Sequence, residues 1–327
     1  MTRAGQPRVT IVTPYTAAAN NGNWHTAARW ASFLGRACRV RVLQSWNGEP
    51  CDLLIALHAR RSADSIHRFA DAHPDRPLVV VLTGTDLYRD LADSEAARRS
   101  LELATRLVVL NELGPRRLPL EVRGKAEVIL QSAPPLRAAT RPSSPLEVAV
   151  VGHLREEKNP RLVWALLHRL PPELPLRIRH VGDPLQPDLA DEAREAMRDA
   201  RYRWLGGLSR ARAREVIRTS HLLLHPSTME GGAQAVIEAV RSHTAVLASG
   251  IDGNAGLLGE DYAGLFTEND VDAACELVLR AARQPRFLDR LRRQCERRAP
   301  LFSPERERAK VLGLVDNSRL RSQRTIR

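Results

Sequence analysis

The run "HLLLHPSTMEGGAQAVIEAV", residues 221–240, joins three kinds of sequence. "HLLLH" is a short apolar run with the length and make-up of a buried strand. "PSTMEGG" carries the proline, serine and glycines of a loop. "AQAVIEAV" reads as a helix. In a parallel α/β domain ligands bind at the carboxyl ends of strands, where such loops lie. Gly231 and Gly232 predict backbone N–H groups left open to a phosphate at the helix start. Glu230 and Glu238 stand eight residues apart, a spacing that places two side chains on one helical face. A carboxylate at Glu238 suits the vicinal diol of a ribose, as the acidic residue of a dinucleotide site does. With 38 acidic residues in the chain the spacing alone is weak. The strand before it and the glycines within it give it weight.

The same alternation runs outward in both directions. In the first half "RVTIVTP", "RVRVLQ", "DLLIALH", "LVVVLTG", "RLVVL" and "AEVIL" read as buried parallel strands, with helices over 24–34, 63–72 and 94–104. Residues 131–145, "QSAPPLRAATRPSSP", form a Pro- and Ser-rich joint. Beyond it "LEVAVVGHL", "LRIRHVG", "YRWLGG", "HLLLHPS", "TAVLASG" and "GLFTEND" restart the pattern. Strand–helix alternation means βαβ units and parallel sheets. The expectation is an α/β chain of two Rossmann-like domains facing across a cleft, residues 1–140 and 146–302. A last helix over 303–316 opens with Ser303–Pro304, a helix-start signal, and is expected to pack back on the first domain.

Composition narrows the function. The chain has 327 residues, of which 43% are hydrophobic, enough for a sizeable core. No apolar run is long enough to span a bilayer, and "MTRAGQPRVTIVTP" has no apolar signal region. The reading expects a cytoplasmic protein without a membrane partner. The four cysteines are scattered and predict reduced, buried thiols rather than disulfides or a zinc site. The net charge of +12 favours anionic partners such as nucleotides and phosphates. Nucleic acid is disfavoured, because aromatics are only 4% and the arginines are spread over helix faces.

Each strand end is a candidate site. After "RVTIVTP" come Thr13, Asn20, Asn21, Gly22, Asn23, Trp24 and His25. A glycine before a helix start lets N–H groups approach an anion, and His25 adds a titratable donor. The plainer reading is an Asn-Gly turn with Asn23 as N-cap. The absence of G-x-G-x-x-G argues against a nicotinamide or flavin site. "LHARRS" offers His58, Arg60 and Arg61, and "LTGTDLYRD" offers Thr83 and Thr85, a set suited to a small anionic acceptor. Capping by Ser62 and Asp86 is the equal alternative. "VVGHLREEKNPRLV" ends a strand at Gly152 and starts a helix near Pro160, with His153, Arg155 and Lys158 in the turn, suited to a diphosphate. Local pairing of Glu156 and Glu157 with Arg155 and Lys158 is the plainer reading. Asp270 and Asp272 in "DVD" imitate a metal motif but precede a helix, so N-capping is expected. No metal-ligand or Ser-His-Asp spacing appears.

These segments together resemble the glycosyltransferase family 4 enzymes of GT-B fold, from Val9 to about Leu314. "VVGHLREEKNPRLV" is similar to the family's phosphate turn, "WLGGLSRARAREVI" to the segment flanking the nucleobase, and "HPSTMEGGAQAVIEAV" to its E-x7-E segment. The resemblance implies a UDP-sugar site of His153, Arg155, Lys158, Leu205, Glu230, Gly231, Gly232, Ala233, Gln234, Ala235 and Glu238. Lys158 would hold the diphosphate, Glu238 the ribose, and Glu230 the sugar. It makes His25, Glu230, Lys158 and Arg155 the catalytic set and implies no metal or other cofactor. There are departures. His153 stands at the family's arginine, leaving Arg155 to do that work, "NNGN" replaces a Gly-Gly pair, and "EGGA" lacks the usual phenylalanine.

The wording of "TPYTAAANNGNWHTAARWASFL", "LTGTDLYRDL", "GHLREEKNPRL" and "SGIDGNAGLLG" is similar to a narrower group, the SenB selenosugar synthases of selenoneine biosynthesis. That resemblance implies attack by the selenium of selenophosphate on UDP-N-acetylglucosamine or UDP-glucose. It also implies a link to the selenophosphate synthetase upstream. The acceptor set is then Thr13, Asn20, Asn21, Gly22, Asn23, His25, His58, Arg60, Arg61, Thr83 and Thr85. The alternatives are a family 4 transferase with a hydroxyl acceptor and a UDP-sugar-binding module without turnover.

Overall fold

The computed structural model describes residues 5–15 and 22–324, with side chains described as far as Asp316. The chain forms two units. One runs to Gln131 and takes in the C-terminal helix from Pro304; the other is Ser132–Ser303. Each holds one six-stranded sheet whose paired strands are all parallel.

In the first unit the strands are β1 (Arg8–Val12), β2 (Arg39–Leu43), β3 (Leu53–Leu57), β4 (Leu78–Leu82), β5 (Arg106–Val109) and β6 (Ala126–Val128), in the order β2-β1-β3-β4-β5-β6. The order reverses between β1 and β3. The apolar runs explain the central strands. Every residue of β3 and β4 is buried, because helices cover both faces of a parallel sheet. Trp30 and Leu34 of the helix Gly22–Leu34 pack on one face, and Ile66 and Phe69 of the helix Ala63–Ala72 on the other. The C-terminal helix, Pro304–Arg324, adds Val311, Leu314 and Val315 to the first of these cores. Its Glu307 is buried and accepts from Trp30 Nε1 at 2.8 Å and Arg29 Nε at 2.9 Å. The last helix thus belongs with the first unit, and it runs beyond residue 316.

In the second unit the strands are β7 (Leu146–Val151), β8 (Leu176–Val181), β9 (Tyr202–Trp204), β10 (Leu222–His225), β11 (Ala245–Ser249) and β12 (Leu265–Phe266). Their order, β12-β11-β10-β7-β8-β9, is the doubly wound one, with its reversal between β7 and β10. Asp270 caps the helix Val271–Arg283 by accepting from Ala273 N at 2.8 Å, as expected of "DVD". The four cysteines are free and buried.

The Pro-rich joint is not a free tether. From Ser132 onward it belongs with the second unit, not with a first domain ending at residue 140. Proline has no N–H to give, but the carbonyls of this stretch still need donors. Arginines supply them. Arg241 Nε donates to Ala133 O at 3.0 Å and Arg214 to Pro134 O at 2.6 Å. His221 holds Pro142 O at 2.8 Å through Nε2 and accepts from Glu147 N through Nδ1.

One core histidine makes the second unit sensitive to acid. His180 on β8 is buried, with Nδ1 2.8 Å from Tyr202 Oη. Burial pushes its pKa down from 6.5 to about 4, against the opposing effect of the Gly152 backbone. The unfolded chain takes up this proton near 6.5 and the folded chain only near 4. Stability therefore falls as pH drops through that window and stops falling from this cause below it. The loss is about 3 kcal/mol at 1.36 kcal/mol per unit. Burial lowers His221 as well, which adds a smaller loss of the same sign. Urea unfolding at pH 7.5 and 4.5 should show the drop, and His180→Phe should remove most of it. An unchanged pH slope in that variant would contradict the assignment.

Candidate functional site

In an open parallel sheet the crevice for a ligand lies outside the strand ends where the order reverses. In the second unit that point falls between β7 and β10. The ends of β7 and β8 meet closely. A Cβ on Gly182 would lie 1.9 Å from Gly152 O, so only glycine fits. His153 follows Gly152 and accepts from Asp183 N through Nδ1 at 3.1 Å, which leaves the ring proton on Nε2. Residues Glu156–Lys158 form one 3-10 turn, Asn159 takes a left-handed φ of 49°, and a helix follows over Pro160–Arg169. The helix start is where the sequence places it. Glu157 pairs only distantly with Arg155, at 3.9 Å, and Glu156 pairs with Arg161. Arg155 Nε is buried and makes no hydrogen bond.

Lys158 does not pair with its sequence neighbours. Its stem lies over Gly152, and its ammonium meets the carboxylate of Glu230, from the loop after β10. The same carboxylate oxygen accepts from His225 Nε2 at 2.9 Å. Glu230 is 8% exposed. Burial by itself would push its pKa up, but the Lys158 charge and then His225 outweigh it and hold the carboxyl well below the usual range. The loop is fixed from behind by the helix Asp252–Leu258. A Cβ on Gly253 would stand 2.1 Å from Glu230 O. Asn254 Nδ2 donates to Ser249 O at 3.0 Å, and Ser249 Oγ donates to Ser227 O.

The helix after this loop is shorter than its sequence suggests. It covers Gln234–Val240, with Ala233 as N-cap. Glu230 therefore belongs to the loop, and Glu238 lies one turn into the helix. The two carboxylates do not share a helical face. Gly231 and Gly232 lie in the loop ahead of the helix start at Gln234. Glu238 is buried and accepts from Arg210 Nε at 2.9 Å, with Gln234 Nε2 at 3.4 Å and Arg214 Nε at 3.9 Å. Ala235 follows Gln234 in the first turn of the same helix. Leu205 follows β9, two strands from β7. Thus Lys158 and Glu230 are brought together, and Glu238 is held separately by Arg210. Sequence reasoning missed His225, Ser249, Gly253, Asn254 and Arg210. The signals were the histidine closing "HLLLH" and the glycine within "IDGNAG".

In the first unit the order reverses between β1 and β3. Thr13 follows β1; its Oγ1 is buried and has no hydrogen-bond partner among the described residues. Asn20 and Asn21 lie outside the described residues. Gly22 and Asn23 open the helix Gly22–Leu34, so Asn23 is not its N-cap, and His25 lies in the first turn. His58 follows β3 with a left-handed φ of 74°. Its Nε2 is 3.0 Å from Thr85 Oγ1, in the loop after β4. Asp86 does not cap a helix. Its carboxylate accepts from Ala59 N, Thr83 N and Gly84 N, each at 2.9 Å, and so ties the two loops together. Ser62 stands at the N-cap position of the helix Ala63–Ala72, but its side chain makes no capping bond; its Oγ donates to Leu57 O at 2.7 Å. Arg60 Nε is held by Asp90 at 2.7 Å, and Arg61 lies over the Tyr15 ring at 5.1 Å. Arg60 of the basic pair is thus partly offset by buried Asp90, and Asp86 lies buried beside His58; sequence reasoning placed neither aspartate in the site.

Comparison with solved structures bears out the fold. HepE from Anabaena, solved with UDP and glucose, has a TM-score of 0.75 at 15% identity over 95% of this chain and 100% of that one. Sucrose-phosphate synthase from Thermosynechococcus elongatus has a TM-score of 0.76 at 14% identity over 95% and 98%. The pneumococcal O-GlcNAc transferase GtfA, solved with UDP and GlcNAc, has a TM-score of 0.63 at 14% identity over 81% and 56%. A search of curated proteins finds no match. No helix among the described residues is long and apolar enough to cross a membrane. The family model for glycosyl transferases group 1 matches residues 136–301, more than half of the chain. With its two Rossmann-like sheets in GT-B arrangement of strands and helices, the chain belongs to the glycosyl transferases group 1.

Proposed function

We propose that this glycosyltransferase moves a hexose or N-acetylhexosamine from a UDP-sugar to the selenium of selenophosphate. The selenium–carbon bond forms at the anomeric carbon as the bond from that carbon to the UDP oxygen breaks. UDP leaves with the bonding electron pair. Water then takes the phosphoryl group from selenium, giving phosphate and a 1-selenosugar.

The observation that carries the donor half is the pairing of Lys158 with Glu230 and His225 at the β7/β10 reversal. A cation held there by a fixed carboxylate is already oriented when charge develops on a departing diphosphate. Arg155 Nε, buried without a hydrogen bond, is a second donor for the same charge. Glu238, oriented by Arg210, is suited to accept from ribose hydroxyls. HepE and GtfA were solved with UDP, which supports uridine as the nucleotide here. The acceptor half rests on the first unit. Selenophosphate is a small anion that needs donors and little help from a base, and His25, His58, Arg60, Arg61 and Thr85 supply donors. A hydroxyl acceptor is the second reading. Asp90, 3.8 Å from His58 Nε2, favours it, because a hydroxyl nucleophile needs a base.

The purified chain should release UDP from UDP-N-acetylglucosamine or UDP-glucose only when selenophosphate is present, with the selenosugar seen by mass spectrometry. Turnover with sugar hydroxyls and none with selenophosphate would establish the second reading instead. Glu238→Ala should weaken UDP binding by about tenfold or more, as expected for lost hydrogen bonds to a charged group. His25→Ala should lower turnover and leave UDP affinity within about twofold, too small a change for a lost charged hydrogen bond. Loss of UDP binding in His25→Ala would overturn the division into donor and acceptor units.

A further inference from the structure

We propose that Thr85 selects the acceptor, with its hydroxyl turned by His58 to donate a hydrogen bond to an anion. The inference rests on the acceptor assignment above and adds to it which atom reads the acceptor and what orients that atom.

Begin with the imidazole. His58 is 2% exposed. Its Nδ1 accepts from Arg61 N at 3.3 Å, so the ring proton sits on Nε2. That proton points to Thr85 Oγ1 at 3.0 Å. A hydroxyl has one proton and two lone pairs. With one lone pair taken by His58, the Thr85 proton is directed away from the ring. Among the described residues the Thr85 hydroxyl makes no other hydrogen bond, and the residue is only part-buried. It is therefore an unspent donor at the end of β4.

The position of both side chains is held by backbone. Asp86 accepts from Ala59 N, Thr83 N and Gly84 N, one loop after β3 and the other after β4. It fixes the residues on either side of the His58–Thr85 contact. His58 keeps a left-handed backbone, which non-glycine residues adopt at a cost when surrounding structure enforces it. An independent observation points the same way. Thr13 Oγ1, at the end of the neighbouring strand β1, is 1% exposed and has no hydrogen-bond partner among the described residues. Among the described residues these two hydroxyls have no protein acceptor; they stand at the ends of β1 and β4, with His58 at the end of β3 between them. A ligand rich in acceptor oxygens, such as a phosphate-type anion, would satisfy both. In this scheme His58 is a positioning residue, and Thr85 touches the acceptor.

The test uses the full chain. Thr85→Val keeps the shape and removes the donor, Thr85→Ser keeps the donor, and His58→Asn keeps a residue tolerant of the left-handed backbone. Thr85→Val and His58→Asn should each raise KM for selenophosphate about tenfold, the weight of one charge-assisted hydrogen bond. KM for the UDP-sugar should stay within about twofold, and Thr85→Ser should restore the acceptor KM. An unchanged acceptor KM in Thr85→Val, or equal rises in both KM values, would overturn the inference. If the unaltered chain releases no UDP with selenophosphate, the proposed function fails on its own account. Titration of inorganic phosphate into the UDP-loaded chain then decides the inference. Binding weakened about tenfold by Thr85→Val supports it, whereas equal binding, or none in the unaltered chain, overturns it.

Discussion

A buried carboxylate has to be matched, and in the second unit the match for Glu230 is what joins two strand ends into one site. Its partners come from different places. Lys158 arrives from the turn after β7, and His225 closes β10. An ion pair of this kind is weak evidence for net stability, because desolvation offsets much of the attraction. Removing one partner is another matter, costing about 3–5 kcal/mol when a charge is left buried. The pair therefore acts as a constraint on geometry. Gly152 gives the lysine stem its path, and Gly253 lets a helix back the Glu230 loop at a distance no side chain would allow.

The first unit uses the same device with a different set of donors. Asp86 takes three backbone N–H groups in place of a lysine and a histidine. The result is again that loops from two neighbouring strands, here β3 and β4, hold a fixed relation. In both units a carboxylate is spent inside the protein to fix the loops that carry the candidate site residues. That is preorganisation, the feature that lets fixed dipoles and charges act on a reacting group without rearranging first.

How much of this was legible depended on the range of the interaction. All twelve strands could be read, because each is a short apolar run between turn residues, and that pattern is local. The helix start at Pro160 and the Asp270 cap were legible for the same reason. Misreadings arose where distant residues decided the outcome. Lys158 sits beside Glu156 and Glu157 in sequence yet pairs with a carboxylate 72 residues away. Asp86 and Ser62 have the make-up of N-caps, but loop N–H groups and the Leu57 carbonyl claimed their side chains. The joint after Gln131 has the composition of a linker, and arginines from the second unit still bind its carbonyls. The E-x7-E spacing implied one shared helical face, but only one of the two glutamates is on the helix.

The central claim is that the β7/β10 reversal, with Lys158 and Glu230 at its middle, receives the nucleotide diphosphate. Amide hydrogen exchange of the full chain with and without UDP tests it directly. The account predicts slowed exchange over residues 152–159 and 226–234, the two loops joined by Glu230, with little change at the strand ends of the first unit. Protection confined to the first unit, or UDP binding that leaves both loops unchanged, would contradict it.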